Sequence, residues 1–201
     1  MAAWAATYQA QASSKQAEVA EQSFREQVRN LREQNERARL NLEADLLVRF
    51  DERWKNQLSL IQRRNAARYL IDNDTVIAPR LNDAMEYVCG FFETVGYFQS
   101  LGALQPESVW HEFGAHIRYS WAAFGPAIEK ARKEWDDPEL YREFERLNGL
   151  MADLDRERSV PDLTQEQVRS FFEDQTVLGE ATTIKNSTAA RRIRKALWGR
   201  E

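Results

Sequence analysis

A chain of 201 residues with 43% hydrophobic and 11% aromatic side chains can build one packed domain and carry an appendage besides. Its net charge of −4 is too mild for a nucleic-acid binder overall, and no apolar run approaches the roughly 18 residues of a spanning helix. Charged residues make up 30% and the mean hydropathy is −0.66, which fits long solvated helical faces. The single cysteine, Cys89, cannot close an internal disulfide and suits a reducing, cytoplasmic compartment. Among apolar neighbours its thiol reads as buried filler rather than as a reactive group.

Only eight Gly and five Pro punctuate the chain, and no stretch alternates Val, Ile and Thr, so the expected fold is all-α. Four segments follow from composition: an Ala-rich start at 1–13, a coiled-coil arm at 14–50, a compact bundle of about five helices at 51–178, and a basic tail at 179–201. The opening is too short and lacks the basic flank of a signal peptide; it reads as a frayed helix start.

From Ser14 to Phe50 nothing breaks a helix. Phe24, Val28, Leu31, Asn35, Ala38 and Leu42 recur at alternating spacings of four and three, the seam of a coiled coil. Opposite charges flank it at i,i+4, Arg29 with Glu33 and Glu33 with Arg37 among them. So polar a helix cannot sink its whole length into its own core. It either pairs with a helix of another molecule or docks a short seam on its own domain; the first reading is favoured, with Asn35 fixing register and helix number.

After Leu46, Leu47 and Phe50 the globular part begins. Ser59 with Gln62 suggests a capping box for a helix through Ile61, Ala66, Tyr69, Leu70 and Ile71. Asp72-Asn73-Asp74 reads as a loop. The stretch Leu81–Leu101 is the central strut: Leu81, Ala84, Met85, Val88, Phe91, Phe92, Val95, Phe98 and Leu101 share one broad stripe. Its other side carries Glu86, Cys89, Gly90, Glu93, Gly96 and Ser100, small enough to admit another backbone and acidic enough to want cations. Gly102 ends it.

Pro106 starts a helix whose buried side is Val109, Trp110, Phe113, Ile117, Trp121 and Phe124, and Gly125-Pro126 should kink or split it. Asp137-Pro138 signals the start of another, carrying Leu140, Tyr141, Phe144, Leu147, Leu150, Met151 and Leu154. After a break at Val160-Pro161-Asp162, Thr164 with Gln167 caps a short helix with Val168, Phe171 and Phe172.

Three spaced motifs, AMEYVCGFFETVGYFQSLGAL, WHEFGAHIRYSWAAFGPAIEKAR and LYREFERL, lie between about Arg80 and Met151. Over that region, about a third of the chain, the sequence resembles an uncharacterised helical domain family of bacteria and their phages. The resemblance implies an all-helical fold and a bacterial setting, and it carries no established activity. Members of that family commonly place a membrane helix ahead of a long linker helix; here the first residues are too polar to span.

No motif amounts to a catalytic signature, and no cofactor or metal is expected. In HEFGAH the two histidines, His111 and His116, stand at i,i+5 and point about 140° apart on an ideal helix, so they cannot chelate one ion. Glu86 and Glu93, with Arg118 on the next helix and Arg64 or Arg68 on the previous one, form the most interesting polar grouping. It reads as register-setting ion pairs, or as the acid and base of an enzyme. Tyr97, Tyr119 and Trp121 read as core rather than as a cage around a cation.

From Lys185 onward the cations Lys185, Arg191, Arg192, Arg194, Lys195 and Arg200 stand against Glu201 alone, a net +5 that leaves −9 for the rest. ARRIRKALWGR is a short basic amphipathic segment. It either docks on the acidic body or uses Arg191, Arg192, Arg194 and Lys195 to touch nucleic acid or an anionic membrane surface. The leading expectation is a non-enzymatic interaction or scaffolding module that self-associates as a homo-oligomer through Phe24, Val28, Leu31, Asn35, Ala38 and Leu42, with a protein partner as its readout. The nucleic-acid or membrane binder comes second, and an enzyme built on Glu86 and Glu93 third.

Overall fold

The computed structural model describes residues 2–178, with side chains from Glu21 onward. Among these, six α-helices and no strand occur: α1 (Ala2–Lys55), α2 (Gln57–Asp72), α3 (Asp83–Ser100), α4 (Pro106–Glu134), α5 (Arg142–Glu157) and α6 (Gln165–Gln175). The all-α expectation holds. The chain forms two compact units, Met1–Ala44 and Asp45–Glu201, so the last turns of α1 belong to the second. None of the described helices is long and apolar enough to cross a membrane.

The first unit is helix throughout its described length. With no Gly or Pro before Pro79, α1 extends past both expected limits and stops where Asn56 turns to extended backbone (φ −67°, ψ 160°). The Asn56 side chain accepts from Ser59 N–H at 2.8 Å and thereby starts α2. The start expected at Ser59 therefore moves three residues back, and Ser59 itself is fully buried.

In the second unit α3 is the strut that the sequence suggests. Asn82 caps it by accepting from Met85 N–H at 3.0 Å, and Gly102 ends it at φ +71°, a conformation glycine adopts without strain. Met85, Val88, Phe91, Phe92 and Val95 are buried, whereas Leu101, at the stripe's end, is exposed. Around α3 an aromatic core assembles: Trp54 packs on Phe91 (4.7 Å between centroids) and Phe92 (5.0 Å), and Phe92 stacks on Phe144 at 5.3 Å.

Two further expectations about helix limits fail, each for a local reason. Gly125-Pro126 does not split α4, which is continuous from Pro106 to Glu134. The missing proline N–H costs about 3 kcal/mol in a helix interior, but Ala123, Phe124, Ala127 and Ile128 are buried on both sides of it and hold the two halves in line. Pro138 does not open α5; residues 138–141 are turn and the helix begins at Arg142. Tyr141, the residue before it, sits in the left-handed region at φ +55° and offers no side-chain cap. At α6 the capping box of Thr164 and Gln167 forms as read, with bonds of 2.8 and 3.2 Å.

Candidate functional site

The seam on α1 carries large apolar side chains in water. Phe24 is 66% exposed, Leu31 58% and Leu42 51%; Val28 is half-buried, and Asn35 and Ala38 are exposed. Among the described residues Arg25 pairs with Glu21 and Arg39 with Glu36, while Arg29–Glu33 and Glu33–Arg37 do not form. Exposed pairs of this kind are screened by solvent and exchange readily, so they do not set the seam's behaviour.

Glu86, Glu93 and Arg118 do not come together as a charge cluster. Glu93 Oε2 accepts from Phe144 N–H at 2.8 Å, the third residue of α5. A carboxylate of α3 thus supplies the cap that Tyr141 lacks, and its negative charge faces the positive end of the α5 dipole. Arg118 turns to α5 instead of α3: Nε donates to Asp155 Oδ2 at 3.2 Å and Nη1 to Asn148 Oδ1 at 3.1 Å. Trp110 Nε1 donates to the other Asp155 oxygen at 2.7 Å, and Arg158 lies over the Trp110 ring at 4.5 Å. Arg64 donates to Leu178 O at 3.3 Å.

Asp155 is therefore the hub that ties α4 to α5. Its side chain is 17% exposed and that of Arg118 19%. Asp155→Ala is expected to lower stability by about 2 kcal/mol, since it strands a largely buried guanidinium and an indole N–H together. The corresponding fall in Tm is about 4–8 °C for a chain of this size, read by circular dichroism. A Tm within about 1 °C of the parent would show that the hub is solvated and slack.

Cys89 is fully buried, and burial, with Glu86 nearby, pushes its thiol well above the usual range. Tyr141 is raised in the same way, by burial first and then by Cys89, Glu86 and Glu93. Both groups stay protonated, and neither is poised as a nucleophile. Tyr119 stacks on Phe171 at 4.6 Å, Trp121 meets Phe144 edge-on at 5.1 Å, and Tyr97 is exposed, so these aromatics do not line a common pocket. Among the described residues no three of His, Cys, Asp or Glu converge as metal ligands.

One polar cluster is absent from the sequence reading. Arg63 points inward on the buried face of α2, eight per cent exposed, with its guanidinium 4.2 Å from the centre of the Trp54 ring. Burial pulls its pKa down to about 10. Its neighbour His116 packs its ring between Trp54 (5.2 Å) and Phe171 (5.5 Å). The residue keeps some exposure, but Nδ1 is sealed off without a partner. Burial, and then the charge of Arg63, lower its pKa to about 3, so it is neutral at pH 7. The signal was present: Ser59, Arg63, Ala66, Ala67 and Leu70 share one helical face, which puts a cation in the middle of the apolar stripe.

The basic-tail residues Arg191, Arg192, Arg194 and Lys195 lie outside the described residues. A family model described as a domain of unknown function, DUF4760, matches residues 1–149. No curated protein matches the chain, and no solved structure does.

Proposed function

The chain belongs to this DUF4760 family, whose function is unassigned, and on that footing we propose that it is a non-enzymatic interaction module that self-associates through α1. The observation that carries the reading is the row of Phe24, Leu31 and Leu42, each more than half exposed on a seam of coiled-coil spacing. The occupant of that seam is a second copy of the same helix. Facing copies bring Asn35 against Asn35, where the amides satisfy each other in one register and no other. Charged residues border the seam on both sides, as the flanks of a helix pair require. Leu40 and Val48 are exposed as well, off the seam, and pairing leaves them in water. A free, buried Cys89 fits a reducing, cytoplasmic setting for such a module.

Light scattering on the full chain tests this. The parent protein is expected at a multiple of 23.5 kDa and Leu31→Asp at 23.5 kDa itself, with thermal unfolding of the second unit retained because its core lies beyond Asp45. A parent mass of one chain, or a Leu31→Asp mass equal to an oligomeric parent's, would remove the proposal.

A further inference from the structure

A small cavity opens in the second unit between α2, α4 and α6, lined by Trp54, Arg63, Ser120 and Gln175 against walls that include Phe124 and Phe172. About 10 Å³ of it is open to the centre of a water-sized sphere, which is room for one body of that size. Its polar lining is built in, not borrowed from the surface: Trp54 is 4% exposed, Ser120 3%, Arg63 8% and Gln175 9%. Three lining residues carry a buried polar atom with no hydrogen-bond partner: Trp54 Nε1, Arg63 Nε and Gln175 Oε1. Two of these are donors that can never accept. Arg63 also lacks a carboxylate partner among the described residues, so a positive charge sits in an aromatic wall with the Trp54 ring as its closest compensation.

We propose that this cavity binds one compact monovalent anion, a halide, with Arg63 as its counter-charge and Trp54 Nε1–H and Ser120 Oγ–H as further donors. A water molecule matches the space but leaves the charge of Arg63 uncompensated. Gln175 Oε1 is an acceptor as placed, so the anion requires its amide turned with the NH₂ group inward. The volume excludes sulfate, phosphate and carboxylate metabolites, which need several times the room. The ion would complete the junction of α2, α4 and α6, so its effect is on stability and not on any turnover. The proposal is independent of self-association, which uses the other unit.

The test is thermal unfolding of the full chain in sodium chloride or bromide against sodium gluconate at matched ionic strength. Halide is expected to raise Tm along a saturating curve, by about 3–6 °C at ten times its Kd, while gluconate does not. Arg63→Met keeps the side chain's bulk and removes its charge; the halide increment should vanish in it. Should that variant fail to fold, crystals of the parent grown in bromide supply the second measurement, an anomalous peak within hydrogen-bond reach of Arg63. Equal Tm in halide and gluconate, a halide increment that survives Arg63→Met, or a bromide-free cavity holding a water would each overturn the proposal.

Discussion

Gly96→Ala is expected to cost about 3 kcal/mol, although alanine is the better helix former. A Cβ built at Gly96 lies 2.5 Å from the carbonyl oxygen of Glu143 and 2.9 Å from its carbon. Both are backbone atoms of α5, so no rotamer change relieves the overlap and one helix must move. That movement pulls on two bonds at once: Arg146 Nη2 donates to Gly96 O at 2.8 Å, and Glu93 caps Phe144 one turn away. The expected fall in Tm is about 6–12 °C. Gly90, on the same helix, is the control, since a Cβ there meets nothing within 4 Å. Gly90→Ala should raise stability by about 0.5–1 kcal/mol through lower chain entropy. Shifts of the same sign in the two variants would show that α3 and α5 do not approach as closely as described.

The second large effect is on pH. His116 has a folded pKa near 3, below the unfolded value of about 6.5, so the unfolded chain binds the extra proton between those limits. The contribution of neutral His116 is therefore complete above pH 6.5 and is lost as pH falls through the window toward 3. The loss cannot exceed about 1.4 kcal/mol per pH unit. With the residue partly exposed, about 2 kcal/mol between pH 7 and pH 4 is expected. Most carboxylates titrate lower, so the limb between pH 6.5 and 5 reports His116. Glu112, whose pKa is raised by burial and by a hydrogen bond to Asp51, acts in the opposite sense, because the folded chain takes up that proton more readily than the unfolded one. His116→Phe keeps a ring between Trp54 and Phe171 and should flatten the pH 6.5–5 limb in urea unfolding. A slope unchanged by that substitution would assign the acid sensitivity to another group.

What could be read from the sequence was whatever a single helix determines by itself. The apolar stripe of α3, the glycine stop at Gly102 and the capping box at Thr164 are set by residues within one or two turns, and all three are found where the pattern puts them. The small face of α3 also foretold a close backbone neighbour, and Gly96 meets one. Partners far apart in sequence were not legible. The sequence pairs Arg118 with the glutamates of α3, yet it reaches Asp155, 37 residues away, because α4 packs closely on α5. The sequence offers Glu93 as an ion-pair or catalytic carboxylate; its role depends on Tyr141 adopting left-handed backbone, which no local spacing announces. Arg64 and Arg68 are the cations that spacing puts opposite the glutamates, yet Arg63, set among alanines and leucines, is the inward-facing one. The tail residues stay where the sequence left them.

The bond from Glu93 to Phe144 also bears on how the second unit comes apart. A helix that supplies its own cap can fray at that end and re-form while its neighbours stay put. The beginning of α5 has no such private reserve: its first turn is closed by a side chain belonging to α3. Unwinding there and parting of the two helices are one event, so the pair melts as a block and an isolated peptide of α5 would begin with a loose end.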